Sequence, residues 1–265
     1  AYAPLDGSFF RIACSGCTTP ERAFAFADRG TGDLELGTGG ADAVGNGAST
    51  PAERNAFFHQ NRVRSLARKW LSIAWLNTTV VSTVNITDVC NAYWDGSTTN
   101  FFRSGAGCSN TGTIADVMYH EWGHGLDQNT VSGYLSTGEA TGDITAMHVT
   151  HDAAIGPYFE VNGNPVRDLE RTRVGYLASP ATLDSYCFVC GAECTNGEYG
   201  HEVHCEGEIY GQAHWELAQA LVAKHGYNTG WQTLERIYFQ SMPQAASMQP
   251  FAGQSVYSAY LSVAD

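Results

Sequence analysis

The chain has 265 residues, 43% of them hydrophobic and 15% charged. That balance supports a sizeable core and excludes both a peptide hormone and a disordered acidic chain. The net charge is −13, from 14 Lys plus Arg against 27 Asp plus Glu, and such a field repels phosphate backbones, which argues against a nucleic-acid partner. No apolar run approaches the roughly 18 residues that a membrane span needs. Surface acidity serves solubility, with calcium sites on carboxylates as the sharper alternative.

In chain order, residues 1 to 50 carry short apolar patches at Phe9 to Ala13 and Phe24 to Ala27. A Gly/Asp/Thr-rich stretch from Gly30 to Thr50 follows, and the whole segment reads as strands and long loops. Ser49-Thr50-Pro51-Ala52-Glu53 is a helix start, with a cap residue, Pro in the first turn and an early Glu. Helical spacing of Phe57, Val63, Leu66, Trp70, Leu71 and Ala74 extends that helix to about Leu76. The β-branched run Val80 to Ile86 and the segment Asn91 to Gly96 predict strands separated by a turn. Thr113 is the expected cap of a helix through Asp116, Met118 and His120 to about His124, with Gly123 and Gly125 helping to end it. A second helix is expected over Gly138 to His151. A cysteine-rich loop from Ser185 to His201 then precedes helices at Glu208 to Lys224, Trp231 to Gln240 and Gln254 to Val263. The N-terminal half is therefore β-rich and the C-terminal half α-rich.

Eight cysteines form an even set, and the chain has only two lysines, Lys69 and Lys224. With sequons at Asn77-Thr78-Thr79 and Asn85-Ile86-Thr87 these point to a secreted protein whose cysteines are mostly disulfide-bonded. A four-cysteine zinc knuckle from Cys14/Cys17 and Cys187/Cys190 is the competing reading. A redox motif at Cys14-Ser15-Gly16-Cys17 lacks the βαβ context that would support it. The start Ala1-Tyr2-Ala3-Pro4 leads us to expect a processed or trimmed chain.

His120-Glu121-Trp122-Gly123-His124 is an H-E-x-x-H motif. Residues four apart share a helix face, so both imidazoles can converge on one zinc ion, and Glu121, one position round, can act as general base toward water there. A catalytic zinc site needs a third protein ligand and an open position. Asp127 and Thr130 stand where the metzincin pattern requires Gly and His, which disfavours that class. Gly138-Glu139-Ala140-Thr141-Gly142-Asp143 puts two carboxylates at i and i+4, so Glu139 is the expected third ligand and Asp143 the carboxylate that orients a ligand histidine. His148 and His151 are alternative ligands on the same helix.

These residues resemble the gluzincin metallopeptidases, in their thermolysin and fungalysin branches. Tyr119-His120-Glu121-Trp122-Gly123-His124-Gly125 is similar to the fungalysin-type active-site helix, and Gly138-Glu139-x-x-x-Asp143 to the family's third-ligand helix. Val203-His204-Cys205-Glu206-Gly207-Glu208-Ile209 resembles the segment whose histidine stabilises the transition state, and Asn91 to Gly96 the edge strand that binds substrate backbone. The resemblance extends from about residue 55 to 225.

It implies an α+β, two-lobed fold. A β-rich lobe over 1–127 would include the active-site helix, a mainly helical lobe would span 128–265, and zinc would sit in the cleft between them. It also implies an endopeptidase acting on proteins or peptides, with a propeptide as a further partner. In that reading His120, His124 and Glu139 hold Zn2+, Glu121 is the base and His204 a donor to the oxyanion, with His201 and His214 weaker candidates. Asn91 and Ala92 bind extended substrate as an added strand. Tyr134 is the candidate for the family's oxyanion tyrosine, at a different offset, and the interval between His124 and Glu139 is shorter than in thermolysin. The Gly-x-Met-Glu-Asn signature of the aminopeptidase branch is absent from the sequence. Cys90 is expected to pair with Cys108 across the substrate strand, and the four cysteines from Cys187 to Cys205 among themselves. The rival from another class is a silent zinc-containing binding or adhesion module of the same fold; its mark would be a lost Glu121 or a broken ligand set.

Overall fold

The computed structural model describes residues 2–17, 21–23, 49–130, 138–170, 203–245 and 252–264. Helix α1 (Pro51–Ala67) begins at the expected cap: the Thr50 hydroxyl accepts from the Glu53 N–H, and the Glu53 carboxylate accepts from the Thr50 N–H at 2.6 Å. Pro51 sits in the first turn, where no N–H is needed. The helix stops at Ala67, short of the Leu76 that spacing suggests. Arg64 supplies the reason: its Nε donates to the Leu76 carbonyl at 2.6 Å while its guanidinium lies over the Phe9 ring, so the chain is drawn back across the helix. Ile73 takes the extended backbone its branched side chain favours, and a short 3-10 turn covers Ala74–Asn77.

Strand β1 (Tyr2–Pro4) pairs antiparallel with β3 (Glu21–Ala23). The larger sheet has the order β2 (Phe10–Cys14), β4 (Val80–Ile86), β6 (Thr98–Phe102), β5 (Ala92–Trp94). β2, β4 and β6 are parallel neighbours, and β5 turns back antiparallel on β6 to form an edge. The Asp95 carboxylate holds that hairpin, accepting the N–H groups of Ser97 and Thr98 at 2.9 and 2.7 Å. Gln60 of α1 donates to Thr99 Oγ1 at 3.2 Å, which itself lies 2.8 Å from Ser82 Oγ, a polar seam beside apolar packing of Ile12, Ala52, Ala56, Val84 and Phe101.

The chain divides into two compact units, residues 1–125 with 156–166 and residues 126–155 with 167–265, the division falling inside α2 (Ala115–Thr130). α2 does not end near His124. It runs on through Gly123 and Gly125, and Gly125 serves close packing instead, since a Cβ there would stand 2.8 Å from the Trp75 ring. Thr113 is not its cap: the Thr113 hydroxyl donates to the Asn110 carbonyl at 2.6 Å within a 3-10 turn (Thr111–Thr113), and α2 starts at Ala115.

The second unit contains α3 (Gly138–Thr150), α4 (Val203–His225), α5 (Tyr227–Ala245) and α6 (Ala252–Ala264), with a short antiparallel pair of β7 (Ala154–Ile155) and β8 (Arg167–Asp168). All four expected helices are present, and the last three are longer than their patterns suggest. Gly226, at φ 82°, closes α4 in the left-handed conformation, its N–H donating to the Val222 carbonyl at 2.8 Å. Tyr238 of α5 ties to α3, its hydroxyl 3.1 Å from Thr145 Oγ1 and donating to the Thr141 carbonyl at 3.2 Å.

The expected Cys90–Cys108 disulfide is present, and Cys14 pairs with Cys17. Cys187, Cys190 and Cys194 and the side chain of Cys205, expected to pair among themselves, lie outside the described residues.

Candidate metal centre

Helix geometry sets His120 and His124 one turn apart on α2, with ring centroids 4.6 Å apart and planes nearly perpendicular. The helix is backed by aromatic packing: Trp122 is buried against Trp75, ring centroids 5.1 Å apart, and Trp75 meets Trp94 edge-on at 6.1 Å. On another face the buried Tyr119 places its hydroxyl 2.5 Å from His59 Nδ1. Burial holds the Tyr119 phenol up at about 12 and, with the Arg62 charge, pushes His59 down to about 4. These contacts fix the helix while leaving the H-E-x-x-H face to the ligands. His120 and Glu121 are buried and His124 is half-buried.

Glu139 stands in the first turn of α3. Asp127, at the end of α2, accepts from the Thr141 hydroxyl at 3.3 Å and so pins this turn. One ligand atom each from His120, His124 and Glu139 lies within 4.8 Å of the others, a group that could bind a metal. Two imidazoles and one carboxylate form the protein donor set that catalytic zinc uses, so the residues fit such an ion.

α4 crosses α3 at Gly207, where a Cβ would stand 2.9 Å from the Ala140 nitrogen and 3.1 Å from the Glu139 Cβ. That approach brings His204, one turn earlier, to the carboxylate of the ligand group: His204 Nε2 is 3.3 Å from Glu139 Oε2, with the histidine half-exposed. Asp143, fully buried one turn beyond Glu139, forms a bidentate pair with Arg167 of β8, both contacts 2.6 Å. Burial alone would lower the guanidinium's pKa, but the carboxylates of Asp143, Glu139 and Glu208 outweigh it and hold the pKa above its ordinary value.

The alternative ligands go elsewhere. His148 is fully buried, its Nε2 2.9 Å from His214 Nε2 and its ring stacked on Tyr238. His151 stacks on Trp231 with centroids 4.1 Å apart, its Nδ1 3.0 Å from the Tyr227 hydroxyl. Neither joins the ligand group. His214, a weaker oxyanion candidate, is committed to His148 and to the Tyr260 hydroxyl at 3.1 Å. Tyr134 and His201 lie outside the described residues.

Asn91 and Ala92 sit at the open edge of the larger sheet. The Asn91 carbonyl accepts from the Phe102 N–H at 3.4 Å and the Thr111 hydroxyl at 3.0 Å, which turns the peptide groups of Ala92, the next residue, away from β6. Sequence reasoning missed Arg167, an isolated arginine in a two-residue strand whose role emerges only when the fold brings it to Asp143. It also missed the close-approach glycine at Gly207, for which the neighbouring Glu206 and Glu208 gave no hint.

No protein-family model and no curated protein matches the chain. Among solved structures it takes a metalloproteinase fold. One such structure is the precursor of protealysin, a metalloproteinase from Serratia proteamaculans, 16% identical with a TM-score of 0.60 over 97% of this chain and 87% of that one.

Proposed function

We infer that the protein is a secreted zinc-dependent endopeptidase of the gluzincin type, acting on internal bonds of protein or peptide substrates. The observation that carries this reading is the His120, His124 and Glu139 ligand group, with Glu121 beside it, on a metalloproteinase fold. His120, His124 and Glu139 hold the zinc ion, which when bound supplies a Lewis acid for the scissile carbonyl and for water. Glu121 takes the proton of the attacking water and passes it to the leaving amine. His204 donates a hydrogen bond to the developing oxyanion, a contribution of about 3–4 kcal/mol for a single donor of this kind. Tyr134 is a second candidate donor. Asp143, fixed by Arg167, orients a ligand histidine. The Asn91 side chain and the Ala92 peptide groups receive extended substrate as an added strand. Paired cysteines and scarce lysines support an extracellular setting, and the precursor form of the structural neighbour favours a propeptide as partner.

Glu121→Gln keeps every ligand and removes only the base. It is expected to retain zinc while turnover falls about 10²–10⁴-fold; full activity in the zinc-loaded variant would remove Glu121 from that role. Glu139→Ala is expected to lose zinc on dialysis, and unchanged stoichiometry would move the third ligand elsewhere.

A further inference from the structure

A second cluster of ligand atoms lies in the first unit, apart from the H-E-x-x-H helix. Cys14 ends β2 and Cys17 follows across a turn in which Gly16 takes φ 69°. The two sulfurs and a carboxylate oxygen of Glu53 lie within 4.8 Å of one another. Both cysteines are half-buried and so remain reachable from solvent, whereas Glu53 is fully buried.

The polar surroundings are built rather than accidental. Glu53 uses Oε2 for the Thr50 N–H, and its Oε1 has no hydrogen-bond partner among the described residues. A buried carboxylate oxygen without a donor is costly, and a cation is one of the few ligands that would repay it. Asn85, held at φ 58°, places Nδ2 3.2 Å from Cys14 Sγ and 3.4 Å from Cys17 Sγ. Its amide is oriented by Asn110, which donates to Asn85 Oδ1 at 2.7 Å. An amide N–H directed at both sulfurs favours their thiolate forms over neutral thiols. Two cysteines three positions apart plus one carboxylate is a donor set for a soft or borderline divalent cation, and a poor one for calcium or magnesium.

We propose that Cys14, Cys17 and Glu53 form a second, redox-gated site that binds one thiophilic divalent cation when the Cys14–Cys17 disulfide is reduced. A dithiol reductant gives the disulfide two electrons and two protons, yielding two thiols and one oxidised dithiol. Cation binding then releases both thiol protons to solvent, and the two sulfurs and the carboxylate each donate a lone pair. A disulfide oxidant, which accepts the two electrons and takes two protons from solvent to leave as two thiols, rejoins the sulfurs and expels the cation, so metal and disulfide exclude each other.

The test uses cadmium as probe on the full chain, reduced by a dithiol and freed of it anaerobically. Thiol alkylation with residue-level mass mapping is the readout, and it is blind to the His120, His124 and Glu139 site. Cadmium is expected to protect Cys14 and Cys17 together at one equivalent, and Glu53→Gln, which keeps an acceptor for the Thr50 N–H, to need at least about tenfold more cadmium for the same protection. Equal alkylation with and without cadmium would overturn the site, and an unchanged requirement in Glu53→Gln would overturn the carboxylate as ligand. The oxidised protein, treated in parallel, is expected to show no thiolate-to-cadmium absorption band, and a band of full intensity there would overturn the gating.

Discussion

The two units differ in how they bury polarity. In the first, the buried polar side chains are mostly neutral and bonded to neutral partners: Gln60 on Thr99, Asn110 on Asn85, and the Thr111 hydroxyl on the carbonyls of Asn91 and Phe102. In the second, the buried polar groups include titratable and charged ones, the Asp143–Arg167 pair and the edge-on His148–His214 pair among them. Neutral contacts of this kind contribute about 1 kcal/mol each and are insensitive to pH, whereas a buried ion pair or histidine pair ties stability to protonation. Glu139 and Asp143, two of the carboxylates that the proposed chemistry needs, thus share α3 with His148 of the histidine pair.

The largest effect that would sharpen this contrast is expected from Arg167→Ala. It leaves Asp143 buried without its counter-charge and is expected to cost about 3–5 kcal/mol in denaturant unfolding. A loss under about 1 kcal/mol would mean that the pair is not what holds that region. Acid titration comes next. Burial pushes His214 down to about 3, and burial with the neighbouring His214 and His151 charges pushes His148 well below its ordinary value. Their stability contribution is fully present above the unfolded-state value near 6.5 and is lost as pH falls through that value toward about 3, because the unfolded chain takes up protons that the folded pair refuses. His59 of the first unit acts in the same sense but is only half-buried, so its share is smaller. Circular dichroism of unfolding between pH 7 and 4 is expected to show falling stability, with the slope reduced in His148→Gln; a slope unchanged by that substitution would remove the histidine pair as its cause. The smallest effect expected is that of Gly125→Ala, which drives a methyl to within 2.8 Å of the Trp75 ring and is expected to destabilise by about 1–3 kcal/mol.

Features that depend on local spacing were legible in the sequence. The capping box at Thr50 and Glu53, the strand Val80–Ile86, the H-E-x-x-H helix and the helix bearing Glu139 can each be read from a few adjacent residues. The end of α1 was not, because Arg64 reaches a carbonyl twelve positions on. Nor was the length of α2, because Gly125 is set by the rings of Trp75 and Trp94. Arg167 shows the same limit at the site: its partner is 24 positions away, and nothing near it in sequence announces the pair. Spacing reveals residues that share an element, while side chains chosen by contact between elements become visible only in the fold.

The central claim is metal-dependent peptide-bond hydrolysis, and the most direct test is cleavage of an unfolded protein such as casein, with and without a zinc-selective chelator, followed by zinc add-back. The account predicts cleavage that the chelator abolishes and added zinc restores. A folded, zinc-loaded sample that cleaves nothing, or cleavage indifferent to the chelator, would contradict it.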